Sequence, residues 1–324
     1  MPSRLVVGVD IGGTKLAGGV VDAQLQVHQR AQRSMAGLDT PALLDSITDV
    51  VTELIVAQRG DVLAVGFGIP SLIDRRSGTS VVAVNLPLAN VRFGALMAER
   101  LDLPVFVDND GNVAALAEHR AGAGRGVDEM LMMTIGTGIG GGLILGGRLY
   151  RGWVGSGAEL GHMVIDLNGP RCQGNCPNRG CIEAMASGTA LTREAARIAS
   201  ERPDSALGRA RGAGRVTDGA LVTELAHDGD PAAAEVLELI GTRLGVALAS
   251  YTNIFNPEMI VLGGGVMGAG EMLLAPARAE LMRRALPPSR DTVRVVAAEF
   301  GSEAGMVGAA ALAFDGLTAG QEQA

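Results

Sequence analysis

Lysine is nearly absent from this chain: of 27 Lys and Arg residues only Lys15 is a lysine. A GC-rich coding sequence that exchanged lysine for arginine throughout would account for the bias. Even so, the single lysine falls in the most phosphate-like loop of the sequence, and lysine is a usual point-charge partner of phosphate. Aromatic residues make up only 3% of the 324 positions, and the formal net charge is -8. The first argues against base-stacking platforms and the second against a binder of phosphate backbones, so no nucleic-acid partner is expected. Met1-Pro-Ser-Arg4, followed at once by a strand-like run, does not read as a signal peptide. Long apolar runs are missing too, except for one imitation. Met130 to Gly147 holds 18 consecutive uncharged residues, near the length of a membrane span, but seven are glycines bunched in the middle. That pattern fits two strands and a glycine turn, and the expectation is a soluble, cytoplasmic protein without membrane contacts.

Cysteine is also scarce, and its placement is the most informative feature of the chain. All three cysteines, Cys172, Cys176 and Cys181, lie within ten residues, and His162, one of four histidines, sits ten residues upstream. Three thiolates and an imidazole form the Cys3His set of a four-coordinate structural zinc, with no open position for a reacting water. The alternative is three reduced cytosolic cysteines, but the Gly, Pro and Asn between them keep them from all being core side chains. A disulfide framework would leave one cysteine over. Glu159, three residues before His162, and Glu183, two after Cys181, are held near the same loop and are candidates to grip the hydroxyls of a polar ligand.

A 47% hydrophobic content is ample for a core, and the length suggests two domains sharing one cleft. Arg4–Asp10 reads as a strand, Ile11-Gly-Gly-Thr-Lys15 as a tip, and Leu16–Val21 as the returning strand. This is a hairpin with a glycine tip, unlike the strand-loop-helix of a Walker-type loop. Helical spacing covers Thr40–Arg59, capped by Thr40 or Asp39, with Pro41 in the first turn. Val62–Ile69 is a buried strand, Phe93–Arg100 a helix, Pro104–Val107 a strand and Asn112–Ala121 a helix. A second hairpin then repeats the first: Met130–Ile135, the tip Gly136–Gly142, and Leu143–Leu145. Such repetition marks a duplicated domain. Further helices are expected at Leu191–Ala199 and Pro231–Phe255, joined by an exposed polar connection. The strand Met259–Leu262 runs into Gly263-Gly-Gly265. Gly301–Phe314 reads as a small-residue helix and Thr318–Ala324 as a solvated tail.

Three glycine loops thus follow apolar strands: Gly12-Gly13-Thr14, Gly136-Thr137-Gly138 and Gly263-Gly264-Gly265. Glycine lets backbone N–H groups approach an anion, and threonine adds a hydroxyl donor. One such loop is a common tight turn; three point to a nucleotide with clamped phosphates. Asp10, beside the first loop, is placed to hold Mg²⁺, which prefers few carboxylates plus phosphates. Asp108 and Asp110 follow the strand Pro104–Val107, where ligands bind in α/β sheets. One reading makes Asp108 a cap or turn former and Asp110 a helix cap. The functional alternative makes Asp110 the base that accepts a hydroxyl proton during phosphoryl transfer.

These residues resemble a known family along essentially the whole chain. Val9-Asp-Ile-Gly-Gly-Thr-Lys15, Val107-Asp-Asn-Asp-Gly-Asn112, Ile135-Gly-Thr-Gly-Ile-Gly-Gly-Gly142, Gly157-Ala-Glu-Leu-Gly-His162, Gly180-Cys-Ile-Glu183 and Leu262-Gly-Gly-Gly265 are similar to motifs of the ROK sugar kinases. The resemblance implies an α/β, duplicated actin/hexokinase-like (ribonuclease H-like) two-domain fold with a central cleft. Residues 1–111 would form the small domain, with a C-terminal helix near 301–318 packing back on it. Residues 112–300 would form the large domain with the zinc loop 162–181. It further implies ATP- and Mg²⁺-dependent phosphorylation of a hexose, foremost glucose at O6, with Asp110 as the base. Asn85, Asn109, Asp110, Glu159, His162 and Glu183 would contact the sugar. Asp10, Gly12, Gly13, Thr14, Lys15, Thr137, Gly138, Gly263, Gly264 and Gly265 would serve the nucleotide. His162, Cys172, Cys176 and Cys181 would bind structural Zn²⁺, with a homodimer or homotetramer as the assembly. Two departures stand out: three residues separate the first two cysteines where the family has one, and no Trp follows Asn85-Leu-Pro. Another hexose, an N-acetylhexosamine or polyphosphate as donor are the alternatives. A sugar-sensing regulator is disfavoured because the hairpin begins at Val6, leaving no room for a DNA-binding domain.

Overall fold

The computed structural model describes residues 4–58, 61–74, 77–83 and 86–322. In chain order the first strands are β1 (Leu5–Ile11), β2 (Lys15–Asp22) and β3 (Val27–Ser34). Helix α1 (Thr40–Ala57) follows, and Asp39 caps it by accepting the Ala42 N–H. Then come β4 (Val62–Ile69), β5 (Ser71–Asp74), β6 (Thr79–Ala83), α2 (Phe93–Leu101), β7 (Val105–Asn109) and α3 (Asp110–Ala121). Five of these strands form a sheet in the order β3-β2-β1-β4-β7. Strands β1 and β2 are antiparallel, as the glycine-tipped hairpin requires, while β4 lies parallel to both β1 and β7.

The pleat of β1 sorts its residues between two cores. Leu5, Val7, Val9 and Ile11 join the apolar cluster that includes Leu43, Ile47 and Val50 of α1 and Phe93 and Met97 of α2. Val6 joins the opposite cluster with Val113 and Leu116 of α3 and residues of the last helix. Gly8 and Asp10 share the parity of Val6 and lie on that second face. The sequence LVVGVDI therefore already fixes which side the carboxylate of Asp10 takes.

The second sheet has the order β10-β9-β8-β11-β12, from β8 (Met130–Ile135), β9 (Ile139–Leu145), β10 (Arg148–Tyr150), β11 (Met259–Gly263) and β12 (Arg294–Ala297). Ranked along the chain, each sheet reads third-second-first-fourth-fifth, so the duplication read from the two hairpins is present in the topology. The hairpin tip is shorter than the sequence suggested. Gly140, Gly141 and Gly142 belong to β9, where a side chain at Gly142 would press on Ala115 and the Gly111 carbonyl of α3.

Between β10 and β11 run α4 (Ile182–Ala186), α5 (Gly188–Glu201), α6 (Ala206–Gly212), α7 (Gly219–His227) and α8 (Pro231–Phe255). The polar stretch before α8 is thus not an exposed connection. Ser205 and Asp218 cap two short helices, and Leu207, Leu221, Val222 and Ala226 bury themselves from it. Beyond β11 come α9 (Glu271–Arg284) and α10 (Ser289–Thr292), and after β12 the chain ends in α11 (Ala304–Glu322). That helix runs to Glu322, into the segment expected to be a solvated tail. None of the described helices is long and apolar enough to cross a membrane.

Contacts divide the chain into two units. One holds residues 1–132, 142–158 and 298–324, and the other residues 133–141 and 159–297. Helix α3 therefore lies with the first unit, although the boundary read from sequence fell at 111. In that unit α11 packs backbone to backbone on the sheet. A β-carbon at Gly66 would overlap the Ala309 carbonyl, and one at Gly308 would overlap the Val113 carbonyl of α3. The carboxylate of Glu118, fully buried on α3, accepts the N–H groups of Ala123, Glu299 and Phe300 and so pins the segment leading into α11.

Candidate active site

In the first unit, parallel pairing places Asp10 opposite Gly68 and Gly68 opposite Asp108, a row across the C-terminal ends of β1, β4 and β7. Gly68 is the spacer of this row. A β-carbon there would lie 3.7 Å from the Asp110 Cα and 3.8 Å from Asp10 Oδ1. Burial pushes Asp110 above the usual carboxylate range. Burial, and then the charge of Asp110, push Asp10 up to about 7. Two carboxyls thus share a small space, and the charge of Asp110 adds to burial in raising the proton affinity of Asp10. A cation between carboxylates and phosphate would relieve this, so the donor set fits Mg²⁺.

Asp108 and Asp110 divide the roles that sequence left open. Asp108 is buried and fully engaged: it meets Arg151 Nε at 2.5 Å and accepts the Asn109 N–H and the Asn112 side-chain amide, both at 2.8 Å. The cap of α3 is Asn109, whose Oδ1 accepts the N–H groups of Gly111 and Asn112 while its amide donates to the Ser71 carbonyl. Asp110 is the first helical residue, and its Oδ1 accepts the neighbouring Gly111 N–H at 2.9 Å. The first glycine tip is closed by the Gly12 N–H on the Lys15 carbonyl at 2.8 Å, with Gly13, Thr14 and Lys15 exposed. Asn85 lies outside the described residues.

In the second unit, the side chains of His162, Cys172, Cys176 and Cys181 bring one ligand atom each to within 4.8 Å of one another. His162 Nδ1 lies 3.5 Å from Cys172 Sγ, while Nε2 points the other way, 3.9 Å from Glu159 Oε2. Burial pushes the Cys172 and Cys181 thiols up, and the neighbouring Cys176 sulfur adds to the rise in both. Soft donors this close suit a thiolate-binding metal. The loop is shaped by Gly180, at φ 63°, where a β-carbon would overlap the Asp166 carbonyl. Its N–H donates to Pro170 and its carbonyl accepts from Ile165.

Glu183 sits between this cluster and the second glycine tip. Oε2 accepts the Ile139 N–H at 2.9 Å, and Oε1 lies 3.6 Å from Cys172 Sγ. A β-carbon at Gly138 would overlap the Glu183 carboxylate, so the tip is packed directly against this side chain. By contrast, a β-carbon at Gly136 or Gly265 would meet no atom within 4 Å, leaving open backbone that an anion can approach. Thr137 is exposed, and its carbonyl is held by Thr189 and Gln173. Gly263 ends β11, and Gly264, at φ 90°, lies against the backbone of Ile135. Sequence reasoning missed the residues that hold this framework: Gly68, Arg151, Tyr251, whose hydroxyl donates to the Leu160 carbonyl, and Arg243 on α8. None belongs to a motif whose spacing signals chemistry.

Paired sheets of one order, glycine hairpin tips and strand-end carboxylates define a two-domain α/β protein of the actin/hexokinase-like type. Comparison narrows the class: the chain belongs to the ROK family, which it matches over residues 6–315. It is 35% identical to a glucokinase of Thermotoga maritima over 314 residues, 96% of this chain and 98% of the relative. A ROK family glucokinase from Streptomyces griseus, in complex with glucose and AMPPNP, superimposes with a TM-score of 0.84 at 36% identity, covering 96% of this chain and 99% of its own. A ROK family transcriptional regulator, a homologue of the E. coli MLC protein, gives a TM-score of 0.86 at 28% identity over 96% of this chain and 78% of that one.

Proposed function

We propose that this chain is a hexokinase that transfers the γ-phosphoryl group of ATP to O6 of glucose. The observation that carries the reading is Asp110: a carboxylate beyond a parallel strand, raised in proton affinity by burial and set beside Asp10. A carboxylate raised above its usual proton affinity is a stronger base, suited to take a hydroxyl proton. Full-length likeness to glucokinases, one of them holding glucose and AMPPNP, supports the two substrates.

Asp110 accepts the O6 proton as O6 bonds to the γ-phosphorus. The bond from that phosphorus to the bridging oxygen breaks, and ADP leaves with the electron pair. Asn85, Asn109, Glu159, His162 and Glu183 are assigned to the sugar hydroxyls. Gly12, Gly13, Thr14, Lys15, Thr137, Gly138 and Gly263–Gly265 are assigned to the phosphates. Asp10 would hold Mg²⁺, which neutralises phosphate charge when bound. The Cys3His set would hold Zn²⁺ as a structural ion, with His162 giving Nδ1 to the metal side and leaving Nε2 for the sugar side. A cytoplasmic homodimer or homotetramer completes the proposal, and light scattering of the purified protein checks the assembly.

Purified protein with Mg²⁺ should consume ATP with glucose and yield glucose 6-phosphate faster than with other hexoses or N-acetylhexosamines, and faster than with polyphosphate as donor. Asp110→Asn should lower kcat by about 10²–10⁴-fold while glucose still binds. More than a tenth of wild-type kcat in that variant would remove Asp110 as the base. A sugar-sensing role without turnover is the second reading, favoured by the likeness to the regulator. Sugar binding with no donor consumption on any hexose would select it.

A further inference from the structure

We infer that Arg243, set by Glu194, is a positioning residue for Glu183: it clamps the end of the short helix that carries this carboxylate. The inference rests on the assignment of Glu183 to the sugar.

Helix α4 has only five residues, Ile182–Ala186. So short a helix does not hold itself, and its last carbonyls have no partner within the helix. Two arginines supply them. Arg243 Nη1 donates to the Met185 carbonyl at 3.1 Å, and Arg193 Nη2 donates to the Ala184 carbonyl at 2.9 Å. Positive charge at this end also suits the helix dipole.

Both guanidinium groups are oriented by one carboxylate. Glu194 Oε1 accepts from Arg243 at 3.0 Å and from Arg193 at 3.2 Å, and Oε2 accepts from Arg197 at 3.0 Å. Burial alone would raise the proton affinity of Glu194, but the bonds from Arg197 and Arg243 outweigh it and keep the group ionised. Among the three arginine side chains Arg243 is the most enclosed, 21% exposed against 42% and 49% for Arg193 and Arg197. It projects from α8, where Leu237, Ile240, Leu244 and Ala247 are buried around it in sequence, so its backbone is fixed by the core.

The opposite end of α4 follows directly on Cys181, a member of the Cys3His set. Glu183 is therefore held from one side by the cysteine loop and from the other by an arginine clamp made of different chemistry. Displacing a binding carboxylate by about 1 Å can cost on the order of 10²-fold. The clamp should thus affect sugar binding without affecting the metal.

The test is a double-mutant cycle on the full-length protein, read as KM for glucose, KM for ATP, kcat and zinc per chain. Arg243→Gln should raise the glucose KM by about 10- to 100-fold and leave the zinc content and the ATP KM unchanged. Glu183→Gln should raise the glucose KM by itself. In the Glu183→Gln background, adding Arg243→Gln should change the glucose KM by less than about twofold, since the clamp acts through that carboxylate. Arg243→Lys, which keeps the charge and one donor, should recover part of the loss. If Arg243→Gln does not fold, Glu194→Gln takes its place in the same cycle. Multiplying effects of the two substitutions, or an unchanged glucose KM in the clamp variant, would overturn the inference. An unchanged glucose KM in Glu183→Gln alone would instead remove the assignment of Glu183, and the inference with it.

Discussion

Asp10 shows how a buried carboxyl, the one proposed to hold Mg²⁺, weakens the fold that carries it. An unfolded aspartate ionises near 3.8, whereas the folded Asp10 holds its proton to about 7. Between those values the native state binds more protons than the unfolded chain, so this group costs stability as pH rises and costs most above 7. Asp10→Asn in Mg²⁺-free protein should therefore raise the melting temperature more at pH 8 than at pH 5, by about 2–4 °C for each kcal/mol relieved. An equal rise at both values would show that Asp10 is not raised by its burial and its neighbour as described. If Asp10 holds Mg²⁺ as proposed, the same variant should also lose activity, because a neutral amide is a poorer ligand for the ion. Gly138 shows a second conflict at this scale. Gly138→Val should raise the KM for both ATP and glucose, since its side chain would displace Glu183. An effect on ATP alone would separate the tip from the sugar site.

Helices and loops divide by how far their determinants lie apart in sequence. Helix α8 reads directly from Asp230, Pro231 and the spacing of Val236, Ile240 and Leu244, and the structure returns the range Pro231–Phe255. Strand β4 reads equally well, being a short apolar run closed by Pro70. The Cys3His cluster is legible because its four side chains lie within twenty residues. Cys176→Ser or Cys181→Ser should lower zinc per chain and raise the glucose KM together, measured by metal analysis and kinetics on the same preparation. Zinc loss with an unchanged glucose KM would detach the cluster from the sugar residues. What sequence could not disclose are contacts made at long range. Glu118 looks like a solvated helix residue, yet it is buried because its partners are N–H groups at 299 and 300. Helices α6 and α7 hide in a stretch rich in Arg, Gly and Asp because only a few apolar residues mark their buried faces. Asn109, not Asp110, caps α3, a distinction of one residue that only the hydrogen bonds decide. Gly308 is of the same kind. Gly308→Ala should destabilise the protein by about 3 kcal/mol or more, since backbone on α3 cannot give way as a side chain would. Urea unfolding that shows less than about 1 kcal/mol would mean that α11 is loosely packed.

Across the whole molecule the chain passes between its two units four times, at 132/133, 141/142, 158/159 and 297/298. The two crossings in the second hairpin explain why no cut in sequence separates the units. A boundary at one residue was the natural reading of a duplicated pattern, but the duplication is in topology and the units exchange segments. Ligand effects should consequently be shared. Saturating glucose should raise the temperature of unfolding by mass action, followed by tryptophan fluorescence and by calorimetry alike. Coincident transitions are expected, and two separate ones would show that the units unfold alone.

The return of α11 to the first sheet also sets a clock on synthesis. Strands β1, β4 and helix α3 are complete by residue 121, but the helix that covers their second face begins at Ala304. At about 5–20 residues per second a ribosome needs roughly 9–37 s to cover that interval. For that time Val6, Ala64, Val113 and Leu116 face a gap where Met306, Val307 and Ala310 will later lie. The earliest part of the protein to be made is therefore among the last to close, and the nascent chain carries an exposed apolar face of the kind that chaperones bind.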